Sequence, residues 1–326
     1  MTLRTTAGPA VADRPPGPRW PGRQPSGNGR RVRSDGPAGY FFLSPWILGM
    51  LALTLGPMLA SLYLSFTDYN LFRAPRWVGL DNYVTMFGDP RLRQSVVVTM
   101  TYVVVSVPLK LAVALAVAML LDRPRRSQGF YRSAFYAPSL IGASVSIAIT
   151  WRALFSDDAI VDRVLTALGF PSGGWVGDPS RALMILVLLA VWQFGAPMVI
   201  FLAGLKQIPR ELYEAAECDG AGPWRRFFSI TLPTLSPVIF FNLLMETIAA
   251  FQAFTSAFVV SSGNGLGGPA GSTLFYTLYL YERGFQDFRM GYASAMAWML
   301  LLAVALVTAV LFRTSRSWVF YNDGSR

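Results

Sequence analysis

The sequence contains no histidine and only one cysteine, Cys218, among its 326 residues. Because histidine is the usual general base near neutral pH and the commonest metal ligand, its absence excludes Ser-His-Asp catalysis and histidine-ligated metal centres. One cysteine excludes an internal disulfide and a multi-thiolate metal site. The chain also lacks the Gly-x-x-x-x-Gly-Lys-Ser/Thr phosphate-binding loop. These absences predict that the chain has no catalytic residues, no metal and no bound cofactor of its own.

Charged residues are also scarce: they make up 14% of the chain, against 53% hydrophobic residues, and the mean hydropathy is +0.42. A soluble globular domain carries about 25% charged residues, so this composition predicts an integral membrane protein. The net charge of +10 raises the question of nucleic acid. The basic residues concentrate in the N-terminal tail and a few loops, however, which is typical of membrane orientation. We therefore predict no nucleic-acid partner.

Six apolar runs follow the N-terminal tail, each close to the ~20 residues that cross a bilayer as a helix. They predict an all-α integral membrane protein with six transmembrane helices, over residues 40–66, 95–121, 131–151, 182–202, 237–257 and 292–311. Residues 80–87 predict a short amphipathic helix on the outer surface, capped by Asp81.

The distribution of basic residues predicts the orientation of these helices. With the N-terminus inside, 18 basic residues fall on the inner side and nine on the outer side, so the positive-inside rule predicts an N-in, C-in topology in the cytoplasmic membrane. Residues 1–39 contain seven arginines, seven prolines and seven glycines, which predicts a disordered basic cytoplasmic tail. Residues 40–320 then form the transmembrane domain, and residues 321–326 form a short C-terminal tail.

A polar stretch, residues 211–233, separates the fourth and fifth apolar runs on the inner side. Before Gly220 the apolar positions repeat as on one face of a helix, at Ile208, Leu212, Ala215 and Ala216. Gly220 stands where a helix C-terminus favours a left-handed residue, and Pro223 suits the first turn of a second helix. The pattern predicts two short helices that meet at Gly220 and present an apolar face to a partner.

Two ionisable residues, Lys110 and Glu246, fall inside predicted transmembrane helices, where charge is costly and indicates a pathway or a structural pair. Lys110 could snorkel to the interface or pair at a helix contact. Glu246 lies near Asn242 and Gln252 on one side of the fifth helix. It could line a polar cavity or pair with Lys110, and the pattern does not choose between these.

Amides beside aromatic rings favour sugar binding, because sugar rings present apolar faces and hydroxyl edges. The alternative is that the aromatic residues serve only in helix packing. We select six candidate residues for a substrate path: Gln193, Asn242, Glu246, Phe251, Gln252 and Phe254.

The spacing Glu214-Ala215-Ala216, three residues, Gly220, nine residues, then Ile230-x-Leu232-Pro233 resembles the EAA loop of binding-protein-dependent ABC importer permeases. The resemblance covers about residues 38–320. Five further segments are similar to the carbohydrate-uptake branch of that family, which includes maltose and glycerol-phosphate permeases. They are residues 79–83, 202–209, 251–254, 267–269 and 288–293.

The resemblance implies a permease subunit that moves a sugar or sugar derivative across the membrane. It implies four kinds of partner: a second permease subunit, ATPase subunits that bind ATP and magnesium, an extracytoplasmic solute-binding protein, and membrane lipid. The EAA loop, residues 205–233, would couple the ATPase to the membrane helices. Its implied coupling residues are Glu214 and Asp219 as ATPase contacts, Gly220 as the turn, and Ala215, Ala216, Ile230, Leu232 and Pro233.

Three other functions remain open on the sequence alone. The same loop occurs in ABC permeases for solutes other than sugars. A secondary transporter or channel acting alone would need no ATPase, and an integral membrane enzyme would need catalytic residues that the composition argues against.

Overall fold

A computed structural model describes residues 36–122, 128–142, 144–156, 159–169, 174–261 and 265–320. Most of the predicted basic tail and the whole predicted C-terminal tail lie outside these described residues. The chain divides into two compact units, residues 1–55 and residues 56–326. In the first unit, helix α1 (Gly36–Met50) continues into a π-helical turn (Leu51–Leu55), so the helix begins inside the segment predicted as tail.

The second unit is mostly helical. Its first five elements are α2 (Gly56–Ser65), β1 (Thr67–Asp68), β2 (Arg76–Trp77), α3 (Asp81–Gly88) and the long helix α4 (Pro90–Asp122). The helices that follow are α5 (Gln128–Ile141), α6 (Val145–Leu154), α7 (Ile160–Ala167), α8 (Ala182–Trp192), α9 (Gly195–Leu205), α10 (Arg210–Cys218), α11 (Pro223–Arg226), α12 (Leu232–Thr234), α13 (Ser236–Phe251), α14 (Thr255–Ser261), α15 (Tyr276–Tyr281) and α16 (Met290–Trp318).

The two short strands depart from the all-α prediction. β1 and β2 pair antiparallel, with Thr67 opposite Trp77, and the ring of Phe66 stacks on Trp77 at 5.5 Å between centroids. Two residues are too few for a period-two pattern, so the sequence carried no strand signal here. The amphipathic helix predicted over 80–87 is confirmed as α3, but Asp81 lies in its first turn and makes no capping hydrogen bond.

Three of the described helical segments are long and apolar enough to cross a membrane alone: Phe41–Ser65, Pro90–Asp122 and Met290–Trp318. Three more candidates are bent pairs of helices: α5 with α6 at 98°, α8 with α9 at 42°, and residues 223–234 with α13 at 66°. The predicted helices over 131–151, 182–202 and 237–257 are each interrupted. In the last of them α13 ends at Phe251 in a tight turn, in which the Gln252 N–H donates to the Ala249 carbonyl at 3.2 Å.

Helix α4 is the centre of the core and packs against α8, α9 and α13. Its buried positions recur along one face from Leu92 to Leu121, and Ala114 and Ala118 among them are fully buried. Small residues at these positions let helix backbones approach closely. This packing fixes the face of α4 that carries Lys110 against α13.

Candidate functional site

The loop between α9 and α13 turns at Gly220, as the sequence predicts. Gly220 has a left-handed φ of 72°. The Ala221 N–H donates to the Ala216 carbonyl at 2.9 Å, and the Gly220 N–H donates to the Glu217 carbonyl at 3.0 Å. These two bonds are a Schellman motif, which satisfies the last carbonyls of α10. The turn therefore joins α10 to α11, which begins at Pro223, in one defined geometry.

Two side-chain contacts hold this helix pair together across the turn. The Tyr213 hydroxyl lies 2.9 Å from the Thr231 hydroxyl, and Arg226 forms an ion pair with Glu217. Ile230 is half-buried against the main core and so attaches the loop to the bundle. Ile230 therefore connects the loop, with its two internal contacts, to the packed core of the bundle.

The opposite surface of the loop is open. Trp224 is 76% exposed and Phe228 is 58% exposed, and their rings stack on each other. The predicted coupling residues divide into an exposed group, Glu214, Ala215, Asp219 and Gly220, and a half-buried group, Ala216, Ile230, Leu232 and Pro233. An exposed tryptophan such as Trp224 can dock against another macromolecule, since Trp, Tyr and Arg carry most of the binding energy of protein interfaces.

A second candidate site lies between α4 and α13. The Lys110 ammonium nitrogen is 2.7 Å from a Glu246 carboxylate oxygen, and the two side chains are only 14% and 18% exposed. Both residues also line a cavity of about 260 Å³. The two alternatives that the sequence left open for Glu246 are therefore both realised, because it pairs with Lys110 and lines the cavity.

Three of the six substrate-path candidates line the cavity: Gln193, Glu246 and Phe254. Gln193 lies at the break between α8 and α9, where the Ser139 hydroxyl donates to its carbonyl at 3.0 Å. The other three candidates lie elsewhere: Asn242 is buried and donates to the Val238 carbonyl, Phe251 is buried in the main core, and Gln252 is exposed.

Tyr102 and Ser106 also line the cavity but were not selected from the sequence. They precede Lys110 by eight and four residues, so all three lie on one face of α4. That spacing was a usable signal, because polar residues four apart in an apolar helix share a face. The complete lining offers hydroxyl, amide, aromatic and paired charged groups, which together can bind a polar solute with apolar faces.

A third cluster lies at the start of α4, around Asp89. Its carboxylate accepts hydrogen bonds from the hydroxyls of Tyr279 at 2.5 Å and Tyr292 at 2.8 Å, and the Arg283 guanidinium lies at 3.4 Å. Burial acts to raise the pKa of Asp89. The two tyrosine hydrogen bonds, the Leu92 N–H and the charge of Arg283 outweigh it, so the pKa lies below its ordinary value of 3.8.

We expect Asp89→Asn to lower the free energy of unfolding by about 2 kcal/mol, because hydrogen bonds to a charged group contribute about 1.5–3 kcal/mol each. Since the folded pKa is depressed, the stabilisation is complete above pH 3.8 and is lost as the pH falls through the folded pKa. Unfolding in mixed micelles as a function of pH measures both effects. Asp81→Asn is the matched control, and a variant at Asp89 as stable as the control would contradict the prediction.

Residues 88–316 match the family described as binding-protein-dependent transport system inner membrane component. The chain belongs to this family. The permease is therefore a component of a transport system of the inner membrane, consistent with its long apolar helices. It is 52% identical to the probable ABC transporter permease protein YesP of Bacillus subtilis (strain 168), over 90% of this chain and 95% of that relative.

Two further comparisons extend this result. The permease is 33% identical to the lactose transport system permease protein LacF of Rhizobium radiobacter, over 85% of this chain and 94% of the relative. Its fold matches a crystal structure of a bacterial ABC transporter involved in the import of the acidic polysaccharide alginate. That match has a TM-score of 0.74 at 21% identity and covers 88% of this chain and 97% of the other. At this identity the likeness shows the fold alone.

Proposed function

We propose that this chain is the permease subunit of an ABC importer that carries a sugar or sugar derivative across the cytoplasmic membrane. The observation that carries the proposal is the pair of short helices joined by the Schellman turn at Gly220, in a loop that exposes both aromatic rings and carboxylates. The sugar class is supported by the named relatives, of which LacF is a lactose permease. The hydroxyl, amide and aromatic lining of the cavity agrees with it.

In this proposal the chain crosses the membrane six times with both termini inside. Three continuous helices and three bent pairs supply the six crossings. A bend at membrane depth frees backbone groups, which is tolerated where protein or a water-filled cavity satisfies them. The break between α8 and α9 at Gln193 borders the proposed solute cavity and meets this condition.

The proposed mechanism couples the two sites. ATP and magnesium bind to a partner ATPase, which receives α10 and α11, with Glu214 and Asp219 as polar contacts at the rim. Closure of the ATPase then moves the loop, and Ile230 and the Tyr213–Thr231 bond pass the movement to α13. Because α13 carries Glu246, the same movement alters the cavity. A second permease subunit completes the path, and a solute-binding protein delivers the solute.

Affinity purification of the tagged full-length chain from its native membrane is expected to bring a second permease and an ATPase with it. In proteoliposomes the complex should take up labelled sugar only with ATP and the binding protein present. The ATPase-free chain, reconstituted alone, is the control and should transport nothing. Uptake by that chain alone would indicate a secondary transporter or channel, and exclusive uptake of amino acids would reject the sugar class.

A further inference from the structure

An apolar groove of about 410 Å³ lies on the outside of the second unit, between α3, α4 and α16. Its walls are formed almost wholly by apolar side chains, among them Phe87, Met100 and Leu300. Phe87 is 88% exposed and belongs to the amphipathic helix α3. The groove shares no lining residue with the Lys110–Glu246 cavity or with the coupling loop. Of the six substrate-path candidates only Phe251 lines it.

The groove runs along the helices from their ends toward their middle. The hydrogen bond from Tyr292 to Asp89 holds the starts of α4 and α16 at one level. From there the groove passes from Arg93, in the first turn of α4, to Met100, a distance of about 10 Å at ~1.5 Å per residue. On α16 its lining reaches Ala303, about 20 Å from the start of that helix. The Arg93 end of the groove therefore lies near the start of the candidate membrane span Pro90–Asp122, and the Ala303 end lies near the middle of the span Met290–Trp318.

The lining of the groove suits an acyl chain. Leu92, Val96 and Met100 of α4 face Met299 and Leu300 of α16 across it, so the walls present apolar side chains along the length of the groove. An acyl chain has no hydrogen-bonding groups and loses none on entering such a groove, so its transfer there is favourable.

The mouth of the groove carries an uncompensated positive charge. Arg93 lines the groove and is exposed, and its side chain forms no hydrogen bond or ion pair with the residues that the structure describes. The neighbouring cations differ: Arg91 pairs with Glu282, and Arg283 pairs with Asp89 and Asp287. An arginine guanidinium binds a phosphate through two parallel hydrogen bonds.

We propose that this groove is a binding site for one anionic phospholipid, with an acyl chain in the groove and the phosphate on Arg93. The site requires only that the chain lies in a bilayer, so it does not depend on the proposed solute or on ATPase coupling. Its ligand is recognised by two features at once, a single apolar chain and a negative head group. A zwitterionic phospholipid offers the same phosphate, but the positive charge on its head group is repelled by Arg93, so its net attraction to the site is weaker.

The test uses the purified full-length chain in detergent, titrated with phosphatidylglycerol or phosphatidylcholine and followed by native mass spectrometry. A basic residue near the membrane surface contributes about 1 kcal/mol to anionic lipid binding, which corresponds to about fivefold in affinity. We expect phosphatidylglycerol to bind about fivefold more tightly than phosphatidylcholine, and Arg93→Ala to abolish that preference. Arg73→Ala, which removes an exposed arginine from the loop between β1 and β2, should leave it unchanged.

Occupation of the groove itself is tested by Ala303→Phe. Because the phenylalanine ring would fill the groove, this variant should have a lower affinity for both lipids. Photolabelling provides a measurement that needs no variant. Phosphatidylglycerol with a photoreactive acyl chain should label Met100 or residues 299–303. Equal affinity for the two lipids, an unchanged preference in Arg93→Ala, or labelling confined to other segments would overturn the proposal. Cross-linking of a second permease to these positions in the intact complex would also overturn it.

Discussion

Gly220→Val is expected to lower ATP-driven solute uptake by about 5- to 30-fold while the partner ATPase continues to hydrolyse ATP. Gly220 has a φ of 72°, and the left-handed conformation costs an L-residue about 1–2 kcal/mol, which corresponds to that range. A Cβ at this position would meet no atom within 4 Å. The loss would therefore come from the backbone of the turn, which sets the angle between α10 and α11.

Gly222 offers a matched control within the same loop. It has an ordinary φ of −68° and also has no atom within 4 Å of an added Cβ, so Gly222→Val should retain uptake. Gly220→Asn should be intermediate, because asparagine tolerates the left-handed region better than other residues with side chains. Uptake and ATP hydrolysis are measured together in proteoliposomes. Equal uptake by the Gly220→Val and Gly222→Val complexes would show that the conformation of the turn is not needed for coupling.

Removing one partner of the Lys110–Glu246 pair is expected to cost about 3 kcal/mol of unfolding free energy. Both side chains are mostly buried and lie 2.7 Å apart. Breaking a buried pair leaves a charge without compensation, which costs about 3–5 kcal/mol, and access of water to the cavity favours the lower value. Lys110→Met and Glu246→Gln should each show this loss, whereas the double variant should recover most of it.

The double-variant comparison separates pairing from other roles of the two residues. Lys206→Met is the matched control, because Lys206 is the only other lysine in the sequence and is exposed. Stability is measured by unfolding in mixed micelles and solute uptake by the reconstituted complex. Additive losses in the double variant would show that the two charges act independently. Recovered stability without recovered uptake would assign the charges a direct part in handling the solute.

Features set by local sequence could be predicted. The turn at Gly220 follows from a helix end next to a glycine, so its left-handed conformation was predicted correctly. The helix α3 follows from local amphipathic spacing in the same way. Family membership was predicted from the spacing of Glu214, Gly220 and Pro233, and the match over residues 88–316 confirms it.

Features set by distant contacts could not be predicted. Asp89 meets the Tyr279 hydroxyl across a separation of 190 residues, and nothing near Asp89 in the chain indicates that partner. The bend of 66° before α13 and the end of α13 at Phe251 depend on packing and on a turn that hydropathy does not register. Periodicity put Lys110 and Glu246 inside helices, but it does not say which helix faces meet, so their pairing remained one of two alternatives.

The single cysteine has a practical consequence. Cys218 is exposed at the last residue of α10, two residues before the turn at Gly220. A thiol-reactive spin or fluorescent probe would therefore attach at one position of the unaltered chain, with no background to remove by mutation. The mobility of such a probe would report in real time whether the loop is free or engaged during each round of nucleotide turnover.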